Sequence, residues 1–456
     1  MNDKLISDEK SKMGPWIAFL RVFLGGFWLY EVTLGNNWKT GSFTSGPNPD
    51  WFGAGAGTAL LHEGQASMDA GGWYWFGWIL ENFMYPNAAL WGYFAVGVQF
   101  ILAFAFLFGI FTRPAALLGL GMDFFIYNIG NSRIPPFFTL GHLFIMATNA
   151  GMYYGIDGWL MEKYKASKSS GAKLLKTLLS FDFVTPKMLR ILGSAAAVLA
   201  VYYILALANL PTAKIRMVSL DLGIIFGLTA YGLFVYHDKM NSVTLSTSLI
   251  RIWLGYRFMH EIVVNYVPAL NGLPGKWGAS ESLAKVFNTI GEKHWDLFGG
   301  IVNAVFTPAA GFWAIVFAVV QTAVAVMLLL GIRTRLVSKI GLIYLSLLIL
   351  IGFTRYSPFV FGYLFIVFTL DGGRMFSFDS TKNAVSKIGM NLSKTTVAVL
   401  FGISLVALIA ANLDGIKPNG YQSSMGPVMA AMVSMLTAMV GFGGLMQQRL
   451  LGSLNK

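Results

Sequence analysis

The sequence predicts an all-α polytopic membrane protein, with about twelve transmembrane helices arranged as two parallel six-helix repeats, each built on a four-helix core. Three observations predict this. The 456-residue chain is 55% hydrophobic and only 12% charged, a balance far from that of a soluble domain. Apolar runs long enough to cross roughly 30 Å of hydrocarbon recur along its whole length. Finally, the two halves align on one another without gaps over most of a core, the mark of an internal repeat.

The first apolar run, at 15–35, follows the mixed-charge stretch MNDKLISDEKSKM and lacks a small-residue cleavage site, so it reads as a retained helix. Runs at 90–109, 114–130 and 137–156 complete a first core over 15–157, and runs at 190–210 and 216–236 complete the first repeat, 1–240. The second repeat, 241–456, has its core over 247–379, from runs at 247–267, 311–331, 336–353 and 358–371, followed by runs at 394–412 and 425–446. An even number of helices per repeat makes the repeats parallel. Long loops at 36–89 and 268–310 hold Trp38, Trp51, Trp73, Trp75, Trp78, Trp277 and Trp295. These read as an interfacial aromatic belt, or as a lid over the outer end of the bundle.

The chain carries 33 Lys+Arg against 21 Asp+Glu, a formal net charge of +12. The excess falls in membrane-flanking stretches such as EKYKASKSSGAKLLK, TPKMLR, GIRTRLVSK, STKNAVSKIGMNLSK and QQRLLGSLNK. With twelve crossings these alternate onto one face, which the positive-inside rule makes cytoplasmic together with both termini. The partner implied is the lipid bilayer of a prokaryotic cytoplasmic membrane. Lysines scattered over separate loops form no basic domain for nucleic acid. There is no cysteine, which excludes thiol–disulfide catalysis and cysteine-ligated clusters. His62, His237, His260 and His294 show no metal spacing, and no metal, haem or flavin motif is seen.

The repeat pairs Trp73–Asp157 with Trp295–Asp379 at an offset of 222 residues. It matches Pro86 with Pro308, Gln99 with Gln321, GIFTR at 109 with GIRTR at 331, and Gly119 with Gly341. Upstream, at an offset of 230, RVFLGGFWLYE at 21 pairs with RIWLGYRFMHE at 251, sharing R-x-x-L-G-x-x-x-x-x-E.

Candidate chemistry sits on this frame. Arg133 and Arg355 occupy equivalent turns, GNSRIPPF and GFTRYSPF, on the outer face, where positive charge runs against the topology rule. They either cap helix carbonyls or bind an anion through bidentate guanidinium donors. Glu31 and Glu261 end equivalent first helices, beside Tyr30 and His260; they find partners on neighbouring helices or handle protons. Arg21 and Arg251, toward the inner ends of those helices, read as snorkelling to the interface. Asp123 and His142 fall at similar depth on an antiparallel hairpin, whereas their equivalents are Leu345 and Leu364. They form either an ordering hydrogen bond or a proton relay.

With R-x-x-L-G-x-x-x-x-x-E, the turn G-I-x-T-R and four compact helices, each half resembles the DoxX/DoxD family of small membrane proteins. The resemblance covers 15–157 and 247–379; the duplication and the extra helix pairs depart from single-core members. It implies the activity of the DoxD subunit of thiosulfate:quinone oxidoreductase, with quinone as co-substrate, a DoxA-like small subunit or other respiratory subunits as partners, and a small anionic substrate. On that reading Arg133 and Arg355 bind thiosulfate, while Asp123, His142, Glu31, His260 and Glu261 supply protons. A structural or assembly subunit of a respiratory complex and a secondary anion transporter are the alternatives.

Overall fold

The computed structural model describes residues 3–33, 39–40, 47–130, 134–236, 242–266, 277–354, 356–379, 388–390, 392–414 and 425–454. Among them the regular structure is helical throughout, with no strand. A chain in hydrocarbon must satisfy its peptide groups within each segment, and the helix does this. Among the described residues, seven helices are long and apolar enough to cross a membrane: Lys12–Thr33, Tyr74–Phe108, Pro186–Ala206, Ile215–Val235, Ala310–Leu330, Lys394–Leu413 and Met425–Arg449.

Two compact units form. The N-terminal unit takes Leu20–Ser42 and Gly46–Ser246; the C-terminal unit takes Met1–Phe19 and Thr247–Lys456. The helices are α1 (Asp3–Thr33), α2 (Thr58–Asp69), α3 (Tyr74–Ile79), α4 (Ala88–Phe108), α5 (Thr112–Asn128), α6 (Pro135–Thr148), α7 (Ile156–Lys163), α8 (Ser170–Ser180), α9 (Pro186–Ala206) and α10 (Ala213–Tyr236). There follow α11 (Ser242–Tyr266), α12 (Ser280–Lys293), α13 (Asp296–Ile301), α14 (Ala310–Leu330), α15 (Thr334–Leu350), α16 (Ser357–Thr369), α17 (Lys394–Asp414) and α18 (Met425–Leu454). A helix occupies each of the twelve apolar runs.

The stretches expected to be long loops are largely helical. Residues 58–87 form α2, α3, a π turn at Leu80–Met84 and a 3-10 turn at Tyr85–Asn87, and 280–306 form α12, α13 and a π turn at Val302–Phe306. The two π turns fall at equivalent positions. The tryptophans there divide: Trp73 and Trp277 are buried, while Trp78 is 53% exposed, as an aromatic belt requires. Trp38 lies outside the described residues.

Inside the N-terminal unit one side chain draws three segments together. Arg21 is fully buried, and its guanidinium donates to the carbonyls of Phe106 (2.9 Å) and Leu107 (3.5 Å) at the end of α4, and of Tyr153 (3.3 Å) and Tyr154 (3.2 Å) after α6. Helix ends leave carbonyls without intrahelical partners, and a cation there also meets the negative end of the helix dipole. Arg21 therefore caps; it does not snorkel. Asp157 completes the corner, accepting from the backbone N–H of Phe111 (2.6 Å) and of Thr112 (3.0 Å) at the start of α5.

The C-terminal unit repeats this corner carbonyl for carbonyl. Arg251 donates to Leu328, Leu329 (3.1 Å), Met375 (3.2 Å) and Phe376 (2.6 Å), each 222 residues beyond an Arg21 partner, and also to Gly372 (3.0 Å). Asp379 accepts from Arg333 (2.8 Å) and Thr334 (2.7 Å). Gly109 and Gly331 end α4 and α14 at φ 67° and 64°, where a Cβ would collide with the clasping guanidinium. Gly25 and Gly255 lie on α1 and α11, each four residues beyond its arginine and so on the same face. A Cβ on either would strike the backbone of α4 or α14. The shared motif is thus a capping and close-packing device.

Arg21→Gln should leave several buried carbonyls unsatisfied, at about 1–3 kcal/mol per group, and lower stability by about 3 kcal/mol. Thermal unfolding in detergent against the exposed-site control Lys187→Gln, which should stay within about 0.5 kcal/mol of wild type, measures this; equal midpoints would remove the clasp from the fold's account.

Candidate functional site

Asp123 on α5 and His142 on α6 meet in the interior of the N-terminal unit, both fully buried, with His142 Nδ1 2.8 Å from Asp123 Oδ2. Trp28 of α1 donates its indole N–H to His142 Nε2 at 3.2 Å. That assigns the tautomer: with Nε2 accepting, the ring proton sits on Nδ1 and is donated to Asp123. Thr139 Oγ1 donates to the same carboxylate oxygen at 2.9 Å, and so accepts in turn from Tyr127 OH at 2.5 Å. Five side chains from three helices form one continuous chain of hydrogen bonds. It ends on one open valence: Asp123 Oδ1 is buried without a hydrogen-bond partner among the described residues.

The surroundings hold this chain in place. Trp28 stacks on Phe138 at 4.1 Å and lies parallel to the His142 ring at 5.9 Å, and Phe106 closes another side at 5.5 Å. Gly119 makes room, since a Cβ there would overlap the imidazole. Arg21, Gly25 and Trp28 fall at i, i+4 and i+7, so one stripe of α1 carries the clasp, the close approach and the site. The α9–α10 hairpin adds support: Tyr203 OH donates to Asn128 Oδ1 at 2.9 Å, and its ring stacks on Phe226 at 5.7 Å.

The equivalent positions in the C-terminal unit are all apolar. Phe258, Leu345, Ile349, Phe361 and Leu364 stand where Trp28, Asp123, Tyr127, Thr139 and His142 stand, and Leu364 fills the space at Gly341. That unit has a polar centre of its own. Arg257, 3% exposed, pairs with Glu261 at 2.9 Å, and Asn265 Nδ2 reaches Glu261 at 3.3 Å, with His260 Nδ1 3.7 Å from the same carboxylate. Buried Gln321 donates to Tyr344 OH at 2.5 Å and leaves its Oε1 without a hydrogen-bond partner among the described residues.

Of the proposed acid–base groups, Asp123 and His142 come together, and His260 and Glu261 share a cluster in the other unit. Glu31 lies one turn beyond Trp28 on α1; its carbonyl accepts from Lys39 Nζ at 3.2 Å. Lys39 is buried under Trp51, 4.9 Å from the ring centre, and burial holds its amine down to about 8, partly offset by the Glu31 charge. Arg133 and Arg355 lie outside the described residues.

Three partners in the site were missed in the sequence: Trp28, Tyr127 and Thr139. A signal existed, because each is polar in one half and apolar in the other, as Asp123 and His142 are.

His142→Leu alone should strand a buried carboxylate and destabilise by about 3–5 kcal/mol, whereas Asp123→Leu with His142→Leu, the pair native to the C-terminal unit, should recover most of the loss. Unfolding midpoints of the two variants compare them. A double variant no better than the single would mean that the pair is not an isolated polar insertion. No protein-family model, curated protein or solved structure matches this chain.

Proposed function

We propose that the chain is a quinone-linked membrane oxidoreductase of DoxX/DoxD type, which oxidises thiosulfate or a related sulfur oxyanion at the outer face of a prokaryotic cytoplasmic membrane. The finer architecture belongs to the same reading: twelve crossings in two parallel six-helix repeats, with both termini cytoplasmic. The seven long apolar helices and the clasp recurring at a fixed offset support it. One observation carries the functional part. A buried, connected acid–base chain exists in one core and is replaced by hydrocarbon in the other.

In the reaction, two thiosulfate dianions join through a new S–S bond to give tetrathionate and release two electrons. One quinone takes these with two protons and leaves as quinol. Bringing two dianions together calls for compensating positive charge, the role assigned to Arg133 and Arg355. Protons are the business of the Asp123–His142 chain. Because Trp28 occupies His142 Nε2, the position open to a further proton is Asp123 Oδ1, and His142 with Thr139 stabilises the carboxylate left after that proton is delivered. Glu31, in the same unit, and His260 with Glu261, in the C-terminal unit, are assigned as further proton-handling groups. Electrons pass directly or through a DoxA-like partner.

Thiosulfate-dependent reduction of a quinone analogue by the purified protein with its partners tests this. Asp123→Asn should lower kcat by about 10²–10⁴ with little change in the KM for thiosulfate; Arg133→Ala and Arg355→Ala should chiefly raise that KM. A wild-type preparation inactive with its partners present would leave the structural-subunit or anion-carrier reading, separated by uptake of labelled anion into proteoliposomes.

A further inference from the structure

We infer that α7, α8 and the start of α9 form an interfacial site for acidic phospholipids, with apolar side chains entering the acyl region and lysines meeting the phosphates. The segment is tied at both ends to the ends of helices long and apolar enough to cross a membrane. Asp157 of α7 is bonded through its N–H to Gly109 O at 2.8 Å, at the end of the span Tyr74–Phe108, and through its carboxylate to the start of α5. At the other end Thr185 caps α9, accepting from Met188 N–H at 3.2 Å, where the span Pro186–Ala206 begins.

Between these anchors α8 has 11 residues, about 16 Å of helix, too short to cross a bilayer. It is held at the same level. Arg113 of α5 donates to the carbonyl of Ser180 and lies 6.0 Å from the Phe181 ring, and Lys176 Nζ bridges to the carbonyls of Lys165 (2.9 Å) and Ser167 (3.0 Å). Ala172 and Leu179 turn inward, while Leu174 and Leu178, one turn apart, stay 62% and 37% exposed. Trp159 and Phe183 are exposed as well, and Lys163 stands over the Trp159 ring at 4.6 Å.

Charge chooses the partner. Lys163, Lys165, Lys168, Lys173 and Lys187 are exposed along this segment. Of its three acids, Asp157 is consumed by the backbone tie and Glu162 lies 3.6 Å from Lys165, which leaves Lys163, Lys168, Lys173 and Lys187 against Asp182. Exposed aromatic and leucine side chains flanked by lysines, at the level where spans end, match acyl chains below and anionic headgroups around them.

The chain has no cysteine, so L174C can be labelled with an environment-sensitive fluorophore without further changes. In nanodiscs of phosphatidylcholine with and without phosphatidylglycerol, the label should be quenched by lipids carrying a nitroxide near the headgroup and little by aqueous iodide. Phosphatidylglycerol should raise the lipid quenching about two- to five-fold, an increase lost at high salt and in K163Q/K165Q/K168Q/K173Q. L178C provides a second position, and retention of phosphatidylglycerol over phosphatidylcholine by the unlabelled full chain in native mass spectrometry requires no label. Dominant iodide quenching would overturn the site, since the face would then lie in water. Equal behaviour in both lipids, with equal retention, would overturn the acidic preference.

Discussion

A single kind of contact organises each core: a buried guanidinium bound to carbonyls that no helix can satisfy. Arg21 gathers the end of α4 and the turn after α6, and Arg251 does the same for α14 and the turn after α16. Between helices in lipid the hydrophobic effect offers no net gain, so packing and polar contacts decide which helices adhere. A planar group with five donors fits this role better than an ammonium would. The glycines follow from it. Gly25 and Gly255 let the arginine-bearing helices approach, and Gly109 and Gly331 free the space that the guanidinium occupies.

Much of this fold was legible because hydrophobic length and repetition are strong signals. Every apolar run became a helix, and the offset that aligned the halves also aligned the hydrogen bonds. Two readings failed for a physical reason. Arg21 looked like a snorkelling side chain because sequence gives depth along one helix but not the carbonyls presented by others. The stretches at 58–87 and 280–306 looked like loops because their glycines and asparagines weaken helical periodicity, and because a π turn shifts its phase. In the site, Asp123 and His142 were found from depth alone, but Trp28, Tyr127 and Thr139 had to be recognised as belonging with them. Their partnership depends on which faces of α1, α5 and α6 meet.

The two cores differ in an orderly way. In the first, Trp28 on the first helix and Asp123 on the third meet His142; in the second, those helices bury Arg257 and Tyr344, each one residue earlier in the matched frame. One residue is about 100° of rotation around a helix. On the third helix the buried polar residue has therefore turned from the crevice shared with the fourth core helix, where His142 lies, toward the second, where Gln321 bonds Tyr344. The same scaffold buries two polar sets in two crevices without altering the clasp, since Arg21 and Arg251 keep their places.

That separation between clasp and site makes a buried acid–base chain tolerable. Desolvating Asp123 and His142 costs several kcal/mol, recovered only if their geometry is held tightly. Nothing in the pair itself supplies that rigidity. It comes from two turns lower on α1, where Arg21 fixes the helix against α4 and the α6 turn, and from the rings of Trp28, Phe138 and Phe106 packed around the imidazole. The C-terminal unit shows the scaffold standing without the chain, with Leu345 and Leu364 in its place. The polar chain is thus an addition that the fold supports and does not need.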